Sequence, residues 1–294
     1  MKPAPFDYFD PETIEDVLDL LQQYGDDAKI MAGGQSLGPL LNMRMSLPEV
    51  IVDINRVSAL DYQYETADHL ILGAQTRQYV LEDDPTLAER QPILMAALPH
   101  IGHRSIRTRS TVGGSLAHAD PAAEWPAIAA LLDAEMVIQQ ANQPTQVLGP
   151  DEFFQSALIT ALEPEALLVE VRLPHWPTGA GWSFVEFSRR HGDFALLGAA
   201  ASLQLDANRR CTEARLVLIG AAPIPIRPRQ TEAYLTGEII TEALITSAAQ
   251  EVRQEIEPDG DLHGSADYRR HLATVLVSRA LTEAAQRAIP GGAV

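Results

Sequence analysis

The chain has 294 residues, of which 46% are hydrophobic and 21% charged, and it contains one cysteine, Cys211. Its 22 basic and 40 acidic side chains give a formal net charge of −18. The length suits one large domain or two ordinary ones, and the apolar fraction excludes a disordered chain. The negative charge argues against nonspecific binding to nucleic acid or anionic membranes. A single cysteine cannot form an internal disulfide, ligate an iron–sulfur cluster or build a cysteine-based zinc site.

The N-terminal sequence is acidic and rich in proline, and it lacks the apolar core of a signal peptide. No apolar run reaches the roughly 18 residues that a membrane span requires. We therefore expect a cytoplasmic protein.

Helical and strand patterns alternate through the first half of the chain. Asp10-Pro11 is typical of a helix start, apolar residues follow at helical spacing, and Gly25 predicts the end of that helix. The remaining elements predicted in this half are a strand at 29–32, strands at 50–54 and 70–74, helices at 91–101 and 124–134, and strands at 135–139 and 167–173.

A cluster of turn-forming residues at 174–179 (PHWPTG) is the best candidate for a domain boundary. Beyond it, apolar runs at 182–187, 195–205 and 214–221 predict strands, and two amphipathic stretches around 244–256 and 272–280 predict helices. Strands followed by helices indicate a second α+β unit.

The first segment that could carry chemistry is AGGQSL at 32–37, which directly follows a predicted strand. Adjacent glycines allow a sharp turn, and the successive N–H groups of such a turn can form an anion-binding concavity. Ser36 adds a hydroxyl donor, and Lys29 is a nearby cation. On this motif alone, a plain connection between a strand and a helix explains the sequence equally well.

A second pair of glycines occurs in TVGGS at 111–115, again flanked by hydroxyl side chains. Arg104, Arg107 and Arg109, just upstream, either contribute positive charge to an anion site or form surface salt bridges. Neither motif has the GxGxxG pattern, and GxxxxGK[ST] is absent, so the Rossmann and P-loop fingerprints are missing. Two such turns, far apart in sequence, fit a diphosphate held between two loops.

AGGQSL at 32–37 and TVGGSLAHADPAAEWP at 111–126 resemble the FAD-binding (medium) subunit of the molybdenum hydroxylases, the family of xanthine dehydrogenase and carbon monoxide dehydrogenase. The resemblance continues through 153–174 and 184–196 and covers nearly the whole chain. It implies an α+β protein with two domains. An FAD-binding domain of the PCMH type, similar to vanillyl-alcohol oxidase, is expected over 1–176. A smaller domain with a sheet and C-terminal helices, like that of carbon monoxide dehydrogenase flavoproteins, is expected over 177–290.

The resemblance also implies which residues hold FAD. Those matching the first pyrophosphate loop are Lys29, Ile30, Met31, Ala32, Gly33, Gly34, Gln35, Ser36 and Leu37. Those matching the second are Thr111, Val112, Gly113, Gly114 and Ser115. The remaining matches are two apolar contacts, Ile101 and Leu162, two acids for cofactor hydroxyls, Asp120 and Glu124, and two residues of a loop that reaches the isoalloxazine, His191 and Asp193. Read without the family, Leu162 is an ordinary core residue, and the two acids could cap a helix near residue 124.

By resemblance, the chain is an electron-transfer flavoprotein with no catalytic residue of its own. A large subunit with a molybdopterin–molybdenum cofactor would hydroxylate the substrate, and two [2Fe–2S] clusters in a small subunit would pass electrons to FAD. The expected assembly is a dimer of heterotrimers, and N-heterocycles such as quinoline, nicotine or caffeine are favoured over CO or an aldehyde. Val185 stands where animal xanthine dehydrogenases have lysine, which favours a quinone or another acceptor over NAD.

Two other functions remain compatible with the residues. One is a self-contained FAD oxidase or dehydrogenase of the vanillyl-alcohol-oxidase type, although 294 residues leave little room for a substrate domain. The other is a non-enzymatic acidic scaffold in which the glycine turns are purely structural.

Overall fold

The computed structural model describes residues 2–289, so the predicted limits at residues 1 and 290 lie outside the described range. The β-strands are β1 Asp7–Phe9, β2 Ala28–Met31, β3 Val50–Asp53, β4 Gln63–Glu65, β5 His69–Gly73, β6 Glu135–Gln140, β7 Gln146–Leu148, β8 Phe154–Ser156, β9 Ile159–Thr160, β10 Ala166–Pro174, β11 Gly181–Phe187, β12 Leu197–Leu205 and β13 Cys211–Ile219. The α-helices are α1 Ile14–Tyr24, α2 Leu37–Met43, α3 Gln78–Glu82, α4 Leu87–Arg90, α5 Pro92–Ala97, α6 Arg104–Arg107, α7 Val112–His118, α8 Glu124–Leu132, α9 Pro150–Phe153, α10 Arg229–Leu235, α11 Glu242–Glu251 and α12 Ala266–Arg287.

The first helix ends at Gly25, as predicted, but it begins later than expected. Thr13, not Asp10, is the N-cap, and its hydroxyl accepts a hydrogen bond from the Asp16 N–H at 3.1 Å. Asp10 instead pairs with Arg56 at 3.0 Å. A threonine three residues before an acid is a standard helix start, and it outcompetes the Asp-Pro pair here.

The N-terminal half contains two sheets. Strands β1, β3 and β2, in that order, form a small parallel sheet. Strands β4, β5, β10, β6 and β7 form a five-stranded antiparallel sheet. Helix α1 and the small sheet pack on one face of the larger sheet through Val137, Leu167 and Val169. The opposite face packs against α5, α7 and α8.

The C-terminal half is an antiparallel sheet of β11, β12 and β13 with a helical layer on one side. One face, including Leu203 and Leu216, packs against α11 and α12. The other face, including Phe184 and Val217, joins the core around α8. The predicted α+β class, with a sheet and C-terminal helices in the second part, is confirmed.

The predicted boundary falls in the connection between β10 and β11. There the Trp176 indole N–H donates to the Ala180 carbonyl at 3.0 Å, and Gly179 has a φ of +76°. Because one apolar core contains residues from both sides of this connection, the two halves are packed together. The limits 1–176 and 177–290 remain a prediction. No helix within the described range is long and apolar enough to cross a membrane.

Candidate functional site

The first glycine motif is a turn between β2 and α2. Lys29, Ile30 and Met31 belong to β2, and Leu37 is the first residue of α2. Gly34 has a φ of +72°, a backbone conformation that favours glycine. For the N–H groups of Gly34, Gln35 and Ser36, residues 2–289 offer no protein acceptor at hydrogen-bonding distance. This turn therefore presents unused donors, the feature that an anion site requires.

The second glycine motif is the first turn of α7 and not an open loop. Thr111 is the N-cap, and its hydroxyl accepts from the Gly114 N–H at 3.0 Å. The N–H groups of Val112 and Gly113 donate to the carbonyls of Thr76 and Ala74, each at 3.0 Å. These three N–H groups are thus bonded within the protein, two of them to backbone carbonyls at 74–76 and one to the N-cap hydroxyl.

Glycine is needed in the second motif for close packing. A Cβ on Gly113 would lie 2.5 Å from the Cβ of Ala74 and 2.7 Å from its carbonyl oxygen. Gly114 has no positive φ, and a Cβ there would lie 2.7 Å from the Thr111 hydroxyl. What this motif offers a ligand is the hydroxyl of Ser115, which is half-buried and lies on the first turn of the helix.

The two motifs, at 32–37 and 111–115 of the chain, are in direct contact. A Cβ on Gly33 would lie 2.3 Å from the Arg109 carbonyl oxygen and 2.7 Å from the Ser110 Cα. A Cβ on Gly114 would lie 3.5 Å from that of Ala32. The absence of a side chain at Gly33 therefore allows the first turn to meet the segment that leads into the second motif.

A polar bracket made by Asn55 and Arg77 holds this contact. The Asn55 amide donates to the Ala32 carbonyl at 2.8 Å and to Asp53 Oδ1 at 2.5 Å. Arg77 donates to Asn55 Oδ1 and to the Arg109 carbonyl oxygen. One amide and one guanidinium thus connect the backbones of both segments.

The sequence analysis missed both bracket residues, although one signal was available. Asn55 follows β3 and Ala32 follows β2, and these neighbouring strands are parallel. Carboxyl ends of parallel strands meet at the same sheet edge, which is where ligands bind in open α/β sheets. Arg77 offered no comparable signal, because its partner Arg109 is reached only through the tertiary fold.

Gln78 also holds the segment that leads into the second motif, through Ser110. It is buried, its backbone N–H donates to the Ser110 carbonyl at 3.1 Å, and its side-chain oxygen accepts from the Ser110 hydroxyl at 2.8 Å. Arg77 and Gln78 thus hold the backbone of residues 109–110, which leads into Thr111. Gln78, like the two bracket residues, was not predicted from the sequence.

The upstream arginines behave mainly as structural ion-pair partners. Arg107 is buried and pairs with Glu82 at 2.7 Å, while Arg104 pairs with Asp83 at 2.6 Å. Arg107 also donates to the Ile101 carbonyl at 2.9 Å. Its guanidinium lowers the pKa of Glu82. The third, Arg109, is exposed, and its backbone carbonyl lies at the glycine contact.

The acidic pair lies between α7 and α8. Neither acid caps α8, since Ala123 occupies the N-cap position without a side-chain bond. Asp120 Oδ1 accepts from the Ala122 N–H at 2.8 Å. Glu124 is buried, and burial together with repulsion from Glu186 raises its pKa to about 8. This shift favours the protonated form of Glu124, which can donate as well as accept a hydrogen bond.

The loop expected to reach the isoalloxazine lies over the short segment before α6. His191 and Asp193 are exposed. Gly192, with a φ of +84°, would place a Cβ 3.0 Å from the His103 ring. The ring centroids of His191 and His100 are 6.4 Å apart. His191 therefore lies beside the residue that directly precedes Ile101. Leu162 is half-buried and packs on the core of the first half, consistent with a core role.

Two known families match the chain in succession. Residues 4–176 match the FAD binding domain in molybdopterin dehydrogenase, and residues 182–284 match the CO dehydrogenase flavoprotein C-terminal domain. The 6-hydroxypseudooxynicotine dehydrogenase complex subunit alpha of Paenarthrobacter nicotinovorans is 42% identical over 290 residues, covering 99% of this chain and 98% of that protein.

Two further relatives are similar over the full length. Caffeine dehydrogenase subunit beta of Pseudomonas sp. strain CBB1 is 37% identical, with 98% of each chain covered. The structure of carbon monoxide dehydrogenase from Hydrogenophaga pseudoflava lacking the Mo-pyranopterin moiety superposes with a TM-score of 0.95 at 34% identity. That superposition covers 98% of this chain and 100% of the other.

Proposed function

This chain belongs to the family of FAD-binding medium subunits of molybdenum hydroxylases, and we propose that FAD lies across its two glycine motifs. FAD is the cofactor of the family's N-terminal domain. The contact between Gly33 and the Arg109–Ser110 backbone carries the proposal. It brings the unused N–H groups at 34–36 beside the first turn of α7 at the edge of the small parallel sheet. FAD supplies the redox chemistry when it is bound.

The two motifs have different proposed roles at the pyrophosphate. The turn at 33–36 binds phosphate oxygens through its backbone N–H groups, with Ser36 as an added donor. The second motif contributes the Ser115 hydroxyl and the exposed Arg109 charge, while its glycines keep the helix close to Ala32 and Ala74. Asp120 and Glu124 bind cofactor hydroxyls, Ile101 and Leu162 make apolar contacts with the cofactor, and His191 and Asp193 belong to the loop that reaches the isoalloxazine.

The biological role that follows is electron transfer within a larger assembly. Two [2Fe–2S] clusters in a small partner subunit deliver electrons to FAD here, and an external acceptor removes them. A large molybdenum subunit carries out the hydroxylation, and the assembly is a dimer of heterotrimers. The single cysteine supports this division, because a [2Fe–2S] cluster takes about four cysteine ligands.

The substrate class we favour is an N-heterocycle. Two of the full-length relatives are named for 6-hydroxypseudooxynicotine and for caffeine. A carbon monoxide dehydrogenase role has similar structural support, so substrate choice is assigned to the large subunit and not to residues of this chain.

The cofactor assignment is tested by releasing the flavin from the purified chain. Acid or heat is expected to liberate FAD, identified by chromatography, with no flavin left on the protein. Release of FMN alone, or a covalently bound flavin, contradicts a site built for a dinucleotide. A colourless protein that fails to bind added FAD favours the scaffold function.

The division of labour is tested by mixing the FAD-loaded chain with quinoline, nicotine or caffeine in a stopped-flow spectrometer. We expect no bleaching of the flavin by any of them, and full bleaching by dithionite. Adding molybdenum and iron–sulfur partner subunits is expected to make reduction depend on substrate. Bleaching by substrate alone identifies a self-contained flavoenzyme.

A further inference from the structure

The hairpin of β8 and β9 turns through a residue that local chemistry disfavours. Ala157 and Leu158 connect the two strands, and Leu158 has a φ of +60°. Glycine or asparagine normally occupies such a position, because a Cβ crowds the neighbouring carbonyl oxygen there. A bulky apolar residue with a positive φ is an outlier, and strain of this kind persists mainly at ligand clamps and other functional sites.

The other non-glycine residues with a positive φ have ordinary explanations. Within residues 2–289 they are helix C-caps, where left-handed backbone is common, or polar residues in exposed connections between strands: Arg44, Ala119 and Asp133 in the first group, Asn142 and Arg209 in the second. Of this set, Leu158 alone is large and apolar. Neither its turn nor a helix end therefore accounts for it.

Core packing does not explain a leucine at this position either. Leu158 is 56% exposed, and its neighbour Ile159 is 53% exposed. The base of the hairpin is fixed by contrast, because Phe153 and Phe154 are buried with their ring centroids 5.1 Å apart. A rigid base thus holds an exposed apolar tip in a strained conformation.

The tip lies against the end of α7, the helix that contains the second glycine motif. The Leu158 N–H donates to the Ala119 carbonyl at 3.0 Å, and Ala119 directly precedes Asp120. On the other side of the tip, the Thr160 hydroxyl accepts from the Leu162 N–H at 3.3 Å. The tip is therefore flanked by two residues, Asp120 and Leu162, that we propose as contacts of FAD.

The tip is also close to the proposed pyrophosphate position. Ser115 and Ala119 are four residues apart on α7 and its C-cap, which is about 6 Å along the helix axis at a rise of 1.5 Å per residue. Each nucleoside-like half of FAD extends farther than this from its pyrophosphate. A dinucleotide that starts at Ser115 can therefore reach Leu158.

We propose that Leu158 is a further cofactor-binding residue, which packs its exposed side chain against bound FAD. The inference rests on the proposed function, since FAD at the second motif is the occupant. Glycine at 158 would relieve the backbone but offer no apolar surface to the cofactor. Leucine keeps that surface, so the hairpin tip sacrifices stability of the FAD-free chain for affinity.

The cofactor contact is tested by fluorescence titration of the FAD-free full-length chain with FAD. Fully burying a leucine side chain changes an equilibrium constant by about 10- to 100-fold, and only part of Leu158 remains to be buried. Leu158→Ala and Leu158→Gly should therefore each weaken FAD binding by about 5- to 10-fold. Leu158→Met keeps an apolar side chain of similar volume and should bind FAD within about 2-fold of the wild type.

The strain is tested by comparing the two truncated variants with each other. Both lack the leucine side chain, but only glycine tolerates the positive φ, so Leu158→Gly should melt about 2–4 °C above Leu158→Ala in the FAD-free state. Equal melting temperatures would show that the tip is not strained and would remove the reason for a functional leucine.

Arg209 supplies the matched control. It is exposed and has a φ of +61°, and its backbone bonds to Asp206 and Ile240, neither of which is a proposed cofactor residue. Arg209→Gly should melt above Arg209→Ala by a similar margin, and both should bind FAD like the wild type. Loss of FAD affinity in these variants equal to that at Leu158 would contradict a local contact.

The outcomes separate this inference from the proposed function. If the wild-type chain binds FAD and the truncated Leu158 variants bind it equally well, the inference is overturned. Weaker binding of a molybdenum or iron–sulfur partner subunit by the same variants would then assign the tip to a protein interface. A wild-type chain that binds no FAD contradicts the proposed function itself, and the inference fails with it.

Discussion

The two glycine pairs look alike in the sequence but are used differently in the fold. At 33–34 the backbone turns through a positive φ, and three successive N–H groups have no partner within residues 2–289. At 113–114 the glycines belong to a helix whose first N–H groups are all bonded within the protein. The first pair makes a ligand-binding surface, and the second allows a helix to pack close to it.

The difference comes from what precedes each pair. The first pair follows a strand directly, and its N–H groups have no cap nearby. The second pair follows Thr111, whose extended backbone and hydroxyl form an N-cap. The Thr111 hydroxyl accepts from the Gly114 N–H, while the Val112 and Gly113 N–H groups donate to the Thr76 and Ala74 carbonyls. The cap, together with the close packing of α7 on the segment at 74–76, therefore uses the donors of the second pair.

The largest effect is expected from a side chain at Gly33. Gly33→Ala places a methyl 2.3 Å from the Arg109 carbonyl oxygen, so the two motifs must separate. Overpacking of this kind costs about 3 kcal/mol, and if FAD binding must restore the contact, its affinity falls about 100-fold. Fluorescence titration of the FAD-free chain with FAD measures the change.

Gly38→Ala is the matched control for this substitution. Gly38 lies in α2, and no atom comes within 4 Å of a Cβ placed there. Alanine is the better helix former by about 1 kcal/mol, so this variant should bind FAD normally and melt at a slightly higher temperature. Equal losses of FAD affinity in the two variants would contradict the argument from close contact.

A smaller effect on FAD affinity is expected when Arg77, one of the two residues of the polar bracket, is replaced. Arg77→Met keeps most of the side-chain volume but removes the donors to Asn55 and to the Arg109 carbonyl. Hydrogen bonds from a charged group contribute about 1.5–3 kcal/mol each, and partial exposure reduces this. We expect FAD affinity to fall about 10-fold, as measured by isothermal titration.

Arg77→Lys distinguishes a positioning role from a general loss of stability. A lysine can reach one of the two acceptors but cannot bridge both, because it lacks the planar fork of the guanidinium. It should restore part of the FAD affinity. A melting temperature that drops with no change in FAD affinity would assign Arg77 to stability alone.

Much of the fold was readable from local patterns, because its elements are bounded by local signals. Gly25 ends α1 as predicted, and the apolar runs at 182–187 and 195–205 are strands of one sheet. The predicted start of α1 at Asp10-Pro11 was wrong, because the Thr13 hydroxyl caps the helix instead. The contact of Asn55 with Ala32 needs the pairing of β2 with β3, and that of His100 with Glu186 needs the packing of both halves.

A modest effect on stability alone is expected at the cap of the second motif. Thr111→Ala removes the acceptor of the Gly114 N–H, and loss of an N-cap costs about 1 kcal/mol. Thr111→Ser retains the acceptor, and because both variants lose the same buried methyl group, the higher melting temperature expected for Ser than for Ala reports the hydroxyl alone. Thermal melting monitored by circular dichroism measures both. No difference between Ala and Ser here would mean that the cap does not contribute to stability.

The smallest effect is expected at Ser36, and it completes the contrast between the motifs. Ser36 occupies the N-cap position of α2, yet its side chain forms no cap bond. Its removal should therefore leave stability unchanged, unlike removal of the Thr111 hydroxyl. One hydrogen bond to a ligand contributes about 0.5–1.5 kcal/mol, so Ser36→Ala should weaken FAD binding by about 2- to 10-fold with an unchanged melting temperature. If Ser36→Ala lowers the melting temperature and leaves FAD affinity intact, Ser36 is a structural cap, and the first motif is no more open to a ligand than the second.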